Sequence, residues 1–284
     1  MQFAIYGSRH QDEFVGSIAA FLEALDREGH TVVMHGKLYR YLLPVAAGSL
    51  RCVRRVTEGP DFTADYAVSL GGDGTFLRTA SWIGDKEIPV IGVNTGHLGF
   101  LASLGASDLP GLAHVLESGG FVLERRSLVH VCAEGLQGSP YALNEVTITK
   151  AETASMIHVG ATIDGIPLAD YRADGLIVAT PTGSTAYNLS VGGPIVQPGA
   201  PVLVLSPIAA HSLSMRPLVI SDSSRLELHC SGRASLMRLS LDGRTTQLPL
   251  DTAVTITRAG FDLLAVQAQG HNFADTLRSK LQWG

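Results

Sequence analysis

Apolar and polar positions along the first 120 residues alternate between two patterns. Short apolar runs at residues 3–6, 31–34, 64–70 and 88–93 predict buried strands. Between the first two runs, apolar side chains at helical spacing predict a helix over residues 12–28. Strands alternating with helices are typical of a parallel, Rossmann-like sheet wrapped by helices, so we expect an α/β domain here.

Residues 36–61 interrupt this alternation. They show no clear period and contain Arg51, Arg54 and Arg55. We interpret them as a solvated, mobile stretch, and a role of the three arginines in holding donor phosphates remains an alternative.

A different pattern begins after Gly119 and Gly120. Short β-type runs separated by turn residues such as Asp164-Gly165 predict an all-β region of packed sheets. The runs are residues 129–133, 141–149, 155–163, 176–179, 202–205, 218–220, 225–230, 236–241 and 254–258. We therefore predict an α/β domain over residues 1–122, a β-rich domain over 123–260, and a segment over 261–284 whose helix packs back on the α/β domain.

Composition narrows the class of protein. Lys and Arg number 21 against 26 Asp and Glu, a net charge of −5, so charge gives no reason to expect nucleic acid or membrane binding. The three cysteines Cys52, Cys132 and Cys230 are scattered, which fits a reducing compartment better than a disulfide framework. No signal peptide and no apolar run of membrane-spanning length are evident, so we expect a soluble, cytoplasmic protein.

The most informative motif is Gly-Gly-Asp-Gly-Thr at residues 71–75. It lies between a predicted strand and a predicted helix that opens near Phe76, an arrangement that binds anions through backbone N–H groups and the helix dipole. Asp73 would repel a phosphate, so we interpret it as a base that accepts a hydroxyl proton during phosphoryl transfer. The one Gly-Lys pair is followed by Leu38, so the motif predicts a kinase without a Walker A loop.

A second loop, residues 94–101, follows the strand at 88–93. Ligands of α/β sheets bind outside the carboxyl ends of the strands, so we expect this loop to share an edge with Asp73. A purely structural turn is an equal alternative, and nothing requires His97 to be catalytic.

Asn144 and Glu145 interrupt an otherwise apolar strand predicted over residues 141–149. Adjacent strand residues point to opposite faces, so at least one of the two polar groups faces inward or occupies a bulge and needs dedicated hydrogen-bond partners. A carboxylate and an amide suit ribose hydroxyls and a purine edge. An exposed strand edge is the alternative.

The most distinctive stretch is residues 172–195, where a strand enters a hydroxyl-rich loop and then a short helix. Some of its hydroxyls would cap the helix, but capping uses one or two. We interpret the rest as donors to a nucleotide, with Tyr187 available to stack. Arg172 and Asp174 flank the entry. The hydroxyl residues are Thr180, Thr182, Ser184, Thr185 and Ser190.

In order and spacing, these four motifs resemble the bacterial NAD kinase family over nearly the whole chain. The Gly-Gly-Asp-Gly turn alone is shared with diacylglycerol-type lipid kinases and phosphofructokinases. Its combination with Thr-Pro-Thr-Gly-Ser-Thr-Ala-Tyr at residues 180–187 is highly specific.

The resemblance implies transfer of a phosphoryl group from ATP, with Mg²⁺ or another divalent cation on its phosphates, to the 2′-hydroxyl of the adenosine ribose of NAD. It also implies a homodimer or homotetramer and an active site between the two domains. Asp73 would be the proton acceptor and Arg172 would accompany preference for NAD over NADH. The implied NAD-binding residues are Asp73, Gly74, Asn144, Glu145, Ser155, Arg172, Asp174, Thr182, Thr185, Ala186, Tyr187, Asn188, Leu189, Ser190 and Arg244.

Two other functions remain open from the sequence. A lipid kinase would use the same glycine turn but would need an apolar cleft, and it gives the hydroxyl-rich loop no role. A non-catalytic NAD(H)-binding sensor would bind the nucleotide, but it gives Asp73 no role. No His/Cys cluster predicts a permanent metal site.

Overall fold

The computed structural model describes residues 1–7, 12–95, 99–102, 104–151 and 156–282. Ser155 and His97 lie outside these ranges. The helices are α1 (Val15–Arg27), α2 (Gly36–Ala46), α3 (Asp73–Ile83), α4 (Leu112–Glu117), α5 (Tyr187–Ser190) and α6 (Phe273–Leu281). The strands are β1 (Gln2–Gly7), β2 (Thr31–His35), β3 (Val53–Thr57), β4 (Tyr66–Leu70), β5 (Val90–Asn94), β6 (Leu104–Gly105), β7 (Phe121–Cys132), β8 (Tyr141–Ala142), β9 (Glu145–Lys150), β10 (Ile157–Ile163), β11 (Ile166–Ala173), β12 (Gly175–Ala179), β13 (Val202–Ile208), β14 (Leu218–Ser221), β15 (Leu226–Ser231), β16 (Leu236–Leu241), β17 (Arg244–Pro249) and β18 (Val254–Ala268).

The chain forms two compact units. One comprises Met1–Arg125 and Leu263–Gly284, and the other comprises Arg126–Asp262. The first contains a parallel sheet with helices and the second is built almost entirely of strands. The predicted fold class, an α/β part followed by a β-rich part, is confirmed.

The first unit has a parallel sheet in the order β5-β4-β1-β2-β3. Ala265 and Val266, near the end of β18, pair in parallel with β5. Helices pack on the sheet through apolar side chains such as Phe21 and Leu38, so its inner strands are buried and their sequences are apolar. Because β4 and β5 are parallel neighbours, the chain leaves both strands at the same edge of the sheet.

Residues 36–57 form regular elements, and the prediction of an irregular stretch is wrong there. The stretch begins with α2, whose first turn is capped when the backbone N–H of Lys37 donates to Nδ1 of His35. Leu38 and Leu42, one turn apart, are fully buried. Two apolar positions at helical spacing were too few to stand out in the sequence, and Pro44 near the end of α2 obscured the pattern.

The same stretch ends in β3, an edge strand of the sheet. Arg54 and Arg55 lie on this strand and are exposed, and Arg55 pairs with Asp61 at 3.0 Å. Charged side chains are typical of edge strands, where they discourage pairing with other chains. This account explains Arg54 and Arg55 without a ligand.

The second unit has a six-stranded antiparallel sheet in the order β14-β13-β12-β9-β16-β17. A second antiparallel set joins β11, β10, β15 and the beginning of β18. Apolar side chains from both sets, among them Ile148, Val159 and Leu228, form one core cluster.

Among the helices of the described ranges, none is long and apolar enough to cross a membrane.

Candidate active site

Asp73 is the first residue of α3, with Gly72 as the N-cap, so the helix begins three residues earlier than predicted. Its carboxylate accepts hydrogen bonds from the backbone N–H groups of Phe100 (2.8 Å to Oδ2) and Leu101 (3.0 Å to Oδ1). The expectation that the loop after β5 meets the Asp73 turn is therefore confirmed. Each carboxylate oxygen accepts one backbone N–H and retains a further lone pair for a hydroxyl proton.

Gly99 allows the loop to approach Asp73 this closely. A Cβ atom at residue 99 would lie 2.0 Å from Oδ1 of Asp73, far inside van der Waals contact. The loop therefore requires glycine at this position, and the carboxylate is held in one orientation above it.

Two cationic side chains lie near this turn. Nη2 of Arg78 donates to Oγ1 of Thr75 at 3.3 Å, and Arg78 also hydrogen-bonds the phenol of Tyr6. Nζ of Lys280, on α6, is buried and has no hydrogen-bond partner among the described residues. Burial lowers the pKa of Lys280, and the negative charge of Asp73 opposes that shift. Positive charge and a helix N-terminus thus surround one carboxylate, which suits phosphate oxygens.

Asn144 occupies a break between β8 and β9, so the single strand predicted over residues 141–149 is wrong. Asn144 is 8% exposed, yet its Oδ1 has no hydrogen-bond partner among the described residues, and neither does the buried Oε2 of Glu145. The dedicated hydrogen-bond partners expected for the pair are therefore not supplied to these two oxygens by the described residues. Buried acceptors without partners are costly, so these two oxygens are candidate ligand-binding atoms.

Glu145 has an unusual protonation equilibrium. Burial raises the pKa of its carboxyl group to about 7, and the negative charge of Asp242 adds to the shift. A hydrogen bond from the backbone N–H of Tyr187 opposes both effects. A carboxyl group shifted this far by burial and a specific neighbour is a candidate functional group.

The hydroxyl-rich loop follows β12 and passes through a 3₁₀ turn at Thr182–Thr185 into α5. Oγ1 of Thr180 donates to the carbonyl oxygen of Leu143 at 2.6 Å, and Oγ of Ser184 donates to that of Pro181 at 2.7 Å. Oγ1 of Thr185 donates to the carbonyl oxygen of Thr182 at 3.4 Å. These three hydroxyls donate within the protein, so more of the five have a structural role than the one or two that were expected.

The same loop packs tightly against the break between β8 and β9. The backbone N–H of Thr180 donates to the carbonyl oxygen of Asn144 at 2.9 Å. A Cβ atom on Gly183 would lie 2.0 Å from that same oxygen. The loop and Asn144 therefore form one continuous structure within the second unit.

The remaining loop residues differ in whether their side chains are accessible to a ligand. The side chain of Asn188 is fully buried and bonds to Ser184, Pro194 and Ser206, so any contact with a ligand falls to its backbone. Tyr187 is 42% exposed and leaves its ring available. Thr182 is buried, Ala186 and Leu189 are partly buried, and Ser190 is exposed.

Arg172 lies near the end of β11, and Asp174 is the single residue between β11 and β12. The Arg172 side chain is 66% exposed and lies 3.8 Å from Asp170. Asp174 pairs with Nζ of Lys150 at 2.6 Å.

Arg244 is engaged with the protein itself. Its Nη1 donates to the carbonyl oxygen of Ser139 at 2.9 Å, and its Nη2 donates to that of Tyr141. The guanidinium thus braces the segment that leads into Asn144.

Comparison with known proteins decides the family. Residues 17–121 match the model of the ATP-NAD kinase N-terminal domain, and residues 143–268 match that of the ATP-NAD kinase C-terminal domain. The NAD kinase of Porphyromonas gingivalis is 44% identical over 100% of this chain and 98% of its own length. The NAD kinase of Bacteroides fragilis is 38% identical with the same coverage. The chain belongs to the NAD kinase family.

Solved structures agree with this assignment. An NAD kinase from Archaeoglobus fulgidus in complex with ATP superposes with a TM-score of 0.75 at 26% identity, covering 98% of this chain and 99% of that one. Yeast NADH kinase complexed with NADH gives a TM-score of 0.87 at 23% identity, covering 100% and 88%, and shares the fold.

Sequence reasoning missed two residues that lie beside the candidate site residues. Asp242 accepts hydrogen bonds from the backbone N–H groups at the Asn144 break, and Lys280 lies near Asp73. Asp242-Gly243 is visible in the sequence only as a turn signal, and Lys280 looks like any helix lysine. Both acquire their roles from contacts distant in sequence.

Proposed function

We propose that this chain phosphorylates the 2′-hydroxyl of the adenosine ribose of NAD with ATP, giving NADP. The observation that carries this proposal is the pair of buried, unpartnered oxygens on Asn144 and Glu145. Ribose hydroxyls and an adenine amino group supply the donors that these acceptors lack. Membership of the NAD kinase family supports the same acceptor.

Asp73 is the proton acceptor in this proposal. The 2′-oxygen attacks the γ-phosphorus of ATP, the bond to the β-phosphate oxygen breaks, ADP leaves, and the hydroxyl proton passes to the Asp73 carboxylate. The hydrogen bonds from Phe100 and Leu101 orient that carboxylate before the substrates bind. The base is therefore already aligned when the reaction begins.

The donor phosphates bind at the first turn of α3. The helix N-terminus and the cations Arg78 and Lys280 supply positive charge there. Mg²⁺ or another divalent cation binds together with ATP as part of the substrate, and it neutralises the remaining negative charge of the phosphates. ATP as donor is supported by the ATP complex of the A. fulgidus relative.

The hydroxyl-rich loop and its flanks complete the NAD site. Tyr187 offers an exposed ring to the adenine. Arg172 and Asp174 lie toward the nicotinamide end, where Arg172 favours NAD over NADH. Thr182, Thr185, Ala186, Asn188, Leu189 and Ser190 line the adenine and ribose pocket, Asn188 through its backbone, and Gly74 contributes backbone contact. Ser155 and Arg244 are lesser contacts, and the bonds of Arg244 to Ser139 and Tyr141 favour an indirect role for it.

The protein acts as a homodimer or homotetramer. Leu213 is 93% exposed, and Leu218 and Val219 are exposed on β14, the edge strand of the six-stranded sheet. Apolar surface of this kind supports self-association. Sedimentation velocity at micromolar concentration tests it, and a monomer at every concentration would contradict it.

A coupled assay of NADP formation tests the proposed function. NAD and NADH are each supplied with ATP and, separately, with polyphosphate. We expect NADP from NAD with ATP and Mg²⁺, and loss of turnover on chelation by EDTA. Diacylglycerol phosphorylation without NADP formation would favour a lipid kinase, and NAD binding without ATP turnover would favour a sensor.

A further inference from the structure

The Asp242 carboxylate lies against the backbone of the break that carries Asn144 and Glu145. Its Oδ2 accepts the N–H of Leu143 at 2.7 Å, and its Oδ1 accepts those of Asn144 at 2.8 Å and Glu145 at 3.2 Å. In the opposite direction, the backbone N–H of Asp242 donates to the carbonyl oxygen of Glu145 at 3.1 Å. One residue therefore forms four hydrogen bonds to three consecutive residues about a hundred positions away.

This arrangement replaces the hydrogen bonds that a continuous strand would have made. The break between β8 and β9 turns the N–H groups of residues 143–145 toward one point, and such groups are costly when they lack an acceptor. Asp242 satisfies all three from the turn between β16 and β17, with φ at +48°. Because both of its oxygens face donors, the ionised carboxylate is the form that fits.

Arg244 braces the other side of the same segment. It binds the carbonyl oxygens of Ser139 and Tyr141. Burial raises the pKa of Asp242, while the three backbone N–H groups and the positive charge of Arg244 oppose that shift and favour the ionised form. Asp242, in the turn between β16 and β17, and Arg244, at the start of β17, thus hold the chain within the break and before it.

We propose that Asp242 positions Asn144 and Glu145 for NAD, acting through their backbone and not through contact with the ligand. This inference rests on the proposed function, in which Asn144 and Glu145 bind NAD. Without the three N–H bonds, the break is held through its carbonyl oxygens, by Thr180, and through the segment before it, by Arg244. The direction in which Asn144 and Glu145 point is then less well fixed.

The charge of Asp242 gives the proposal a distinctive readout. Burial, and then the Asp242 charge, raise the pKa of Glu145 to about 7, while the N–H of Tyr187 opposes them. The ionised Glu145 accepts ribose hydroxyls best, so NAD affinity should rise as pH increases through about 7. Removing the Asp242 charge should move that midpoint to lower pH.

The test measures the dissociation constant of NAD by calorimetry between pH 5.5 and 8.5. Variants are Asp242→Asn, Asp242→Glu and Glu145→Gln. Asp242→Asn keeps the shape but presents an amide NH₂ to at least one N–H, so we expect affinity to fall about tenfold to a hundredfold, with the pH midpoint shifted down. Glu145→Gln should bind more weakly and lose the dependence on pH.

Asp242→Glu keeps the charge but displaces it by one methylene, and it decides the question if Asp242→Asn does not fold. We expect weaker NAD binding with a midpoint close to that of the parent protein. Parent-like affinity and midpoint in a folded Asp242→Asn would overturn the inference, as would parent-like affinity in Asp242→Glu. Failure of the parent protein itself to bind NAD would overturn the proposed function instead.

Discussion

A Cβ atom on Gly99 would lie 2.0 Å from Oδ1 of Asp73. The loop after β5 therefore approaches Asp73, the first residue of α3, so closely that residue 99 must be glycine. The neighbouring N–H groups of Phe100 and Leu101 bind the carboxylate only because residue 99 has no side chain. The orientation of the proposed base depends on a glycine that takes no part in the chemistry.

We expect Gly99→Ala to lower kcat by about 10²-fold, the scale of an ångström-sized misplacement of a catalytic group. The affinity for NAD should change little, because the substitution does not touch Asn144 or Glu145. Gly16→Ala, in α1 with open space around it, is the matched control. Steady-state kinetics and calorimetry of both variants check this, and normal turnover in folded Gly99→Ala would show that the carboxylate tolerates displacement.

Glu145 should make the stability of the ligand-free protein depend on pH. Its folded pKa of about 7 lies above the ordinary value of 4.5, so the folded state holds the proton more tightly than the unfolded state does. The free energy of unfolding contributed by this group is therefore fully present below about pH 4.5 and is lost as pH rises to about 7. The unfolding midpoint of Glu145→Gln should rise relative to that of the parent protein between pH 5 and 8. A constant difference across that range would mean that Glu145 titrates normally.

Asn144→Ala and Glu145→Gln should raise the KM for NAD and leave the KM for ATP nearly unchanged. A hydrogen bond to a charged group contributes about 1.5–3 kcal/mol and one to a neutral group less, so Glu145→Gln should have the larger effect at pH 8, where Glu145 is ionised. Thermal unfolding with and without NAD separates binding from folding. A binding defect removes only the NAD-induced rise in Tm, whereas a lower Tm without NAD indicates a folding defect.

Arg172→Gly should increase the use of NADH relative to NAD. The direction follows from the family resemblance, in which an arginine at this position accompanies preference for NAD over NADH. Charge alone would give the opposite result, because the oxidised nicotinamide ring is cationic and the reduced ring is neutral. Arg172 is 66% exposed, and its removal should leave the fold intact. Arg54→Gly, another exposed arginine on an edge strand, is the control. An unchanged ratio of kcat/KM for NADH and NAD would place the discrimination elsewhere.

Local patterns in the sequence predicted much of the fold. Four strands, β1, β2, β4 and β5, were predictable because buried parallel strands are continuous apolar runs. The Gly-Gly-Asp-Gly-Thr turn was predictable because it is a short local motif between a strand and a helix. The edge strand β3 was missed because its three central residues, Arg54, Arg55 and Val56, are all exposed, so no buried apolar run marks it.

Side-chain roles were harder to predict because they depend on contacts distant in sequence. Most of the five loop hydroxyls were expected to be available to a nucleotide, but those of Thr180 and Ser184 donate to backbone carbonyl groups. Asp242 was missed because its partners are about a hundred residues away. The polar pair Asn144-Glu145 was recognised because two polar residues are unusual within an apolar run. The break between β8 and β9 at this point was not predicted.

The central claim, that Asp73 is the proton acceptor of an NAD kinase, is tested most directly by kcat of Asp73→Asn in the coupled NADP assay at saturating NAD and ATP. Near-UV circular dichroism and calorimetry with NAD serve as controls, because the amide also replaces an acceptor of the Phe100 and Leu101 N–H groups. We predict a folded protein with parent-like affinity for NAD and kcat lowered by about 10²-fold or more. Near-normal turnover in that folded variant would contradict the account.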